Sequence, residues 1–435
     1  MGFETFSKAS GLKMSPGKSN IYSNGVSDSL ISRIEKEVGI QRGNVPFKYL
    51  GVTISPKRLS VADCAGLVDR VSLNLLSKSY KFTGCDTCNV SYAGRVIIIK
   101  SVLMSLHCYW ARIFILPKTV LNKIEALCRS FLWHGSVASD GPALVSWEKV
   151  CRPRKHGGLG LVRLHQWNVA SLGKYVWWIQ KKADHLWVRW VHAIYLKKIS
   201  WEQYVPGTGT SWGWRKICWV KHQLENVMGG YAGTGYSVKD MYSRLADEGS
   251  KIRWHPWVCT RLFIPKHRFI MWLFIQGRLF IQDRLSRMGI IHGNCCFLCG
   301  LEEESHTHLF FLCVYSRVCV QMVARWLGVQ FPLNGTTDWW LRMRSTLMAK
   351  KQVIGLALAS LFYRLWGVRN TARATPWSSR VTHMAKPWRC RVSHMARPWF
   401  SHVGHPPTRQ GLRRVQSFPQ ISINFQTTKE RKSKS

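Results

Sequence analysis

The sequence predicts a mainly α-helical chain with a few short strands. A helical body comes first, then a small unit knotted by cysteine and histidine, then a basic tail without a packed core. Three observations carry that expectation. Apolar residues recur at helical spacing along most of the body, and strand-like alternation is confined to short runs such as FKYLGVTI. From Thr371 onward the character changes, and six Pro between residues 376 and 419 exclude long helices there.

Taken in order, residues 1–26 are rich in Gly, Ser and Lys and read as a loop entering the fold. Phe47–Ile54 reads as one short strand. Leu67, Val68, Val71, Leu75 and Leu76 then recur at helical spacing. Residues 91–117 read as one long buried helix ending before Pro117. Val120, Ile124, Leu127 and Phe131 form the stripe of an amphipathic helix that stops near Gly135. The run RPRKHGGLGL (152–161) is a Gly-rich basic connector. Residues 165–200 are again helical, with Leu172, Val176 and Ile179 on one face, then Leu186, Trp190, Val191 and Ile194. Residues 205–236 carry PGTGT, MGG and GTG and read as mostly loop. Two short helices flank Gly277, and further helices cover Val318–Leu327 and Val353–Trp366. In the tail, RVTHMAKPW (380–388) recurs as RVSHMARPW (391–399), too short and Pro-broken a repeat for a solenoid, so the tail reads as disordered or poorly packed.

At 435 residues and 46% hydrophobic content, the chain has room for two or three domains and is not disordered as a whole. Its formal charge is +41. The tail from Thr371 holds +12 of this, so residues 1–370 remain strongly basic on their own. Such a balance implies a polyanionic partner, with RNA or single-stranded DNA ahead of a membrane surface. The opening MGFETFSKASGLKMS has no apolar core of a secretory leader, and Val96–Ile99 and Val353–Tyr363 are too short to span a bilayer. The expectation is an intracellular protein, nuclear or cytoplasmic, without membrane partners and with its 14 Cys reduced.

The most chemically specific stretch is NCCFLCGLEEESHTHLFFLCVYS (294–316). Cys296 and Cys299 form C-x2-C, eight residues precede His308, and four more precede Cys313. Thiolate and imidazole at such spacing suit tetrahedral Zn²⁺, and four protein ligands leave no open position, so the site would be structural. Cys295 competes with Cys296 in this pattern, and His306 with His308. Elsewhere, Cys85, Cys88 and His107 show no second pair and read as packing residues.

Tryptophan is abundant, 22 residues, and often lies beside basic side chains. Trp212, Trp214, Arg215, Lys216 and Lys221 sit between Gly-rich flanks that favour exposure, a composition that can stack unpaired bases and hold the backbone. Helical spacing instead assigns Trp178 and Trp190 to the core. Arg152, Arg154 and Lys155 beside glycines offer a phosphate contact, with a solvated linker as the equal alternative.

Seven segments in order then resemble one family, the C-terminal part of plant LINE-type (non-LTR retrotransposon) reverse transcriptases. They are SGLKMSPGKS (10–19), PFKYLGVTI (46–54), SYAGRVIIIKSVL (91–103), FLWHG (131–135), LVSWEKVCRPRKHGGLGL (144–161), IPKHRFIMWL (264–273) and CFLCG…HTHLFFLC (296–313). The last block is similar to the reverse-transcriptase zinc-binding domain. The resemblance implies a loop-like remnant after a missing palm (1–26), a thumb-like helical segment (27–162) and a Trp-rich connecting region (163–235). A zinc-binding domain (236–330), a helical extension (331–370) and the disordered basic tail (371–435) follow. It also implies RNA-directed DNA polymerase ancestry. Yet the paired Asp of the polymerase turn is absent here, and two-metal phosphoryl transfer needs converging carboxylates. The expected function is therefore a nucleic-acid-binding module with structural Zn and no catalytic residues of its own. The alternatives are a zinc-stabilised protein-interaction scaffold, or a reverse transcriptase shortened by its gene model.

Overall fold

The computed structural model describes residues 2–374, apart from 12–14, 24–25, 45, 50–51, 56–57, 84–89, 104–107, 139–140, 198, 229–234, 247–249, 260–261 and 331–347. Within these residues the protein is mainly helical, as expected. The proposed repeat tail beyond Ala374, and Cys85, Cys88 and His107, lie outside the described residues. The chain divides into two compact units, Met1–Trp366 and Gly367–Ser435. Of the second unit, only 367–374 are described. Among the described residues, no helix is long and apolar enough to cross a membrane.

Two minimal sheets lie near the N-terminus. Helix α1 (Gly2–Ser10) occupies part of the stretch expected to be loop. Strands β1 (Asn20–Ile21) and β2 (Gln41–Arg42) pair in parallel around α2 (Asp28–Val38). The expected single strand at 47–54 is instead a hairpin. Strand β3 (Phe47–Tyr49) pairs antiparallel with β4 (Val52–Ile54), Phe47 opposite Ile54 and Tyr49 opposite Val52. Only two residues separate the strands, one of them Gly, which is hairpin spacing and not strand interior.

The first core is built by α3 (Ala65–Thr83), α4 (Tyr92–Val102) and α6 (Lys118–His134). Val71, Leu75, Ile99, Val102, Ile124, Cys128 and Phe131 are fully enclosed. Each such aliphatic or aromatic side chain contributes about 1.5–3 kcal/mol. Helix α6 ends as expected at Gly135, whose φ of 80° lets its N–H close on the Phe131 carbonyl. The helix expected over 91–117 is met by α4 and by a single turn, α5 (Cys108–Ala111), and it ends at Ala111, short of Pro117. The end at Ala111 is held from 57 residues away in sequence. Buried Asn168 donates its side-chain amide to the Ala111 and Phe114 carbonyls (2.9 and 2.8 Å) and accepts from the Leu116 N–H (2.9 Å). Backbone groups that would continue a helix are taken by this one side chain.

Helix α7 (Trp147–Cys151) leads into a 3₁₀ turn at Arg154–His156 and then α8 (Leu164–Gln180). Helix α9 (Leu186–Val191) runs into a π-helical turn at His192–Leu196. Here the expected face holds only at Val191: Leu186, Trp190 and Ile194 are exposed, while Val188 is buried with Val191. Two apolar stripes compete in this short helix, and the β-branched one packs. The loop expected over 205–236 is also corrected, because α10 (Trp212–Met228) spans much of it. Its glycines lie mostly outside the helix, Ser211 Oγ accepts from the Trp214 N–H (3.2 Å), and Trp214, Cys218 and Leu224 form a buried stripe. Together with α8 and α11 (Val238–Leu245) it encloses a second core around Val176, Ile179, Trp201 and Met241.

The last part comprises α12 (His255–Val258), α13 (Pro265–Ile275), α14 (Gln282–Arg287), α15 (Val314–Leu327) and α16 (Met348–Ala374). Gly277, at φ 62°, separates α13 from α14 as expected. Phe274, Phe310, Phe311 and Phe362 interlock, with ring centroids 4.7–6.0 Å apart. That aromatic cluster is the floor on which the Cys/His unit stands.

Candidate metal centre and basic surfaces

Two segments build the centre. In the first, Gly300 takes φ 69° and its N–H returns to the Cys296 carbonyl (2.8 Å), closing the C-x2-C turn. The Cys296 N–H donates to the Glu302 carbonyl (2.8 Å) and the Glu304 N–H to the Asn294 carbonyl (2.6 Å), so the loop doubles back beside itself. Buried Glu304 braces it: its carboxylate accepts from the backbone N–H groups of Gln282 (2.9 Å) and Phe297 (3.3 Å). The Gln282 side chain completes the brace by donating to the Cys295 carbonyl.

In the second segment, Ser305 Oγ accepts from the His308 N–H (3.0 Å) and starts a turn that widens into a π-helix over His308–Leu312. Leu309, Phe310 and Phe311 insert into the aromatic floor, and the Cys313 N–H closes on the His308 carbonyl (2.7 Å). The wide turn leaves Cys313 at the N-terminal boundary of α15.

One potential ligand atom from each of Cys296, Cys299, His308 and Cys313 lies within 4.8 Å of all the others. His308 Nε2 is 3.3 Å from Cys299 Sγ, and a Glu302 carboxylate oxygen is 2.8 Å from His308 Nδ1. Zn–S bonds of about 2.3 Å and Zn–N bonds of about 2.0–2.1 Å fit a tetrahedron inside this spacing. The Cys313 thiol is drawn down to about 5, first by the hydrogen bond from Cys296, then by the N–H groups of Ser316 and Tyr315. Cys296, holding the shared proton in a buried place, is pushed up. Cys295, the competing thiol, is exposed and points its Sγ at the Gly300 carbonyl (3.7 Å). His306, the competing imidazole, is half-buried near the Phe274 ring and is pushed down to about 4, chiefly by desolvation.

The residues expected to touch nucleic acid are divided. Trp214 is buried, stacked on Tyr195 at 4.4 Å, and its Nε1 donates to Tyr204 Oη (3.1 Å). No face remains for a base, which corrects the expected stacking role. Lys221 is also committed, its Nζ donating to the carbonyls of Trp201, Glu202 and Tyr204 (3.1, 3.0 and 3.1 Å). Trp212 and Lys216, both half-buried, line an open cavity of about 470 Å³ with Tyr175 and Trp187, and Arg215 is exposed on α10. Arg152, Arg154 and Lys155 are exposed. Their turn is not a loose linker, since Gly157 and Gly158 are buried and the Trp272 Nε1 donates to the Gly157 carbonyl (2.8 Å). Sequence reasoning missed Glu302, Glu304 and Gln282 as supports of the Cys/His set. Only the acidic run inside the loop hinted at the first two.

Three thiols and one imidazole brought together on a helical scaffold define a helical protein with a candidate Cys/His metal centre. Residues 236–319 match the family described as zinc-binding in reverse transcriptase. Over 188 residues the chain is 27% identical to an Arabidopsis thaliana protein described as a candidate ribonuclease H protein, covering 42% of this chain and 29% of that relative. Over 147 residues it is 27% identical to an uncharacterised mitochondrial protein of the same plant, covering 33% of this chain and 96% of the relative. The chain thus spans under a third of the first relative and nearly all of the second. The likeness to reverse transcriptases is carried by residues 236–319.

Proposed function

We propose that this chain is a nucleic-acid-binding part of a LINE-type plant retrotransposon reverse transcriptase, its C-terminal module fastened by one structural Zn²⁺. The observation that carries the reading is the convergence of Cys296, Cys299, His308 and Cys313 inside the matched zinc-binding segment. Bound there, Zn²⁺ supplies folding energy and no open coordination position for chemistry. Support for a polyanionic partner comes from the charge of +41. The expected ligand is RNA or single-stranded DNA, held mainly through phosphates, with Trp212 and Lys216 beside an aromatic-lined cavity as one contact surface. These residues hold no Asp-Asp pair, so no polymerase activity is assigned to them.

The test is titration of labelled single-stranded RNA and DNA into the zinc-loaded protein across a salt series, with primer extension alongside. Binding whose log affinity falls with log salt at about −0.7 per phosphate contact supports the reading. Absence of binding at low salt favours the protein-interaction scaffold, and contaminant-free primer extension contradicts the non-catalytic assignment.

A further inference from the structure

Two basic side chains from distant parts of the sequence meet beside the turn at residues 154–160, and a third is coupled to both through its charge. Lys100 comes from α4, Arg154 from the 3₁₀ turn and Arg268 from α13. Lys100 Nζ donates to the Leu159 carbonyl (3.0 Å), and a Cβ placed on Gly160 would lie 3.9 Å from both Lys100 Nζ and Arg154 Cγ. The support beneath them is firm. Tyr92 stacks on Phe269 at 5.2 Å, joining α4 to α13, and the buried Trp272 indole holds α13 to the Gly157 carbonyl.

The electrostatics of this cluster are unbalanced. Lys100 is pulled down to about 8, first by burial and then by Arg154 and Arg268. Arg268 is lowered too, by burial and then by Arg154. Among the described residues, no ion pair joins Lys100, Arg154 or Arg268 to a carboxylate. With Lys100 and Arg268 half-buried and exposed Arg154 beside them, these like charges cost stability unless an anion neutralises them. Two guanidinium forks and an ammonium match the oxygens of a tetrahedral phosphate.

We propose that Lys100, Arg154 and Arg268 form a cradle for a phosphate group, supplied by the backbone of a single nucleic-acid strand. The identity of the source rests on the nucleic-acid reading above; the cradle itself does not. It recognises phosphate alone, so it positions a strand without reading its sequence.

The test uses the full chain loaded with Zn²⁺, and the variants Arg268→Gln, Arg154→Gln and, as an exposed control on α2, Lys36→Gln. Labelled single-stranded oligonucleotide is titrated across a salt series, and melting temperature is measured with and without inorganic phosphate. Arg268→Gln and Arg154→Gln are expected to weaken binding equally for unrelated sequences and to flatten the log–log salt slope by about 0.7, with Lys36→Gln unchanged. Without anion, Arg268→Gln is expected to melt no lower than the parent, because it removes a repelled charge, and its melting point should no longer rise with phosphate. A purely structural arginine would lower it. Strand binding that is identical in parent and both variants overturns the cradle and leaves the nucleic-acid reading intact. If no strand binds, a phosphate-dependent rise in melting point that Arg268→Gln abolishes supports the cradle with free phosphate as its ligand. No strand binding and no phosphate effect overturn both.

Discussion

The imidazole Nε2 of His308 faces the Cys299 sulfur at 3.3 Å, across nine positions of sequence. Glu302 stands on the opposite side of the same ring, 2.8 Å from Nδ1. A carboxylate behind a ligating imidazole fixes its tautomer and raises its basicity. Glu302→Gln is therefore expected to lower Zn²⁺ affinity about 10- to 100-fold while leaving all four ligands in place. Competition against a chromophoric chelator measures this, and parent-like affinity contradicts the assigned role of Glu302.

Asn168 holds the backbone that follows α5. Asn168→Ala leaves the Ala111 and Phe114 carbonyls and the Leu116 N–H without their partner. Each buried backbone group so orphaned costs about 1–3 kcal/mol. Urea unfolding should show a midpoint shift large enough to be obvious beside any surface variant.

Trp214 separates packing from binding. Its removal as Trp214→Ala should destabilise the fold by about 3–5 kcal/mol, as for other large core truncations. Trp212→Ala, on the half-buried cavity wall, should leave the unfolding midpoint near the parent value and weaken strand binding by about 1–3 kcal/mol. The reverse assignment of losses between these two neighbours contradicts the account of α10.

Lys100 gives the pH dependence a sign. In the fold it releases its proton near 8, against an ordinary 10.5, so between these values the unfolded chain binds more protons. Stability then rises with pH across that window. Lys100→Met should flatten the rise, read as the difference between urea midpoints of parent and variant at about pH 7.5 and about pH 10. Parallel profiles contradict the burial of this charge.

Much of this was legible in the sequence where the cause is local. The α6 stripe and its Gly135 stop, the Gly277 break, and the Cys296, Cys299, His308, Cys313 set all follow from spacing and residue type. Illegible were the features whose cause is distant. Nothing near residue 111 announces that Asn168 will capture the following backbone. Residues 205–236 read as loop because glycines dominate their ends, while the buried stripe Trp214, Cys218, Leu224 decides their middle. Cys295 and Cys296 are indistinguishable as letters. Only the backbone pairing of residue 295 with 303 shows which thiol turns inward. The Lys100, Arg154 and Arg268 cluster is likewise invisible until three distant segments are folded together.

The most direct test of the central claim is metal content after purification without added chelator. The protein is expected to carry one Zn per chain, and Cys313→Ser to lose it and expose residues 264–330 to proteolysis, because ligand binding there is folding energy. Parent protein without Zn, or a Cys313→Ser protein that holds Zn and resists proteolysis as the parent does, would contradict it.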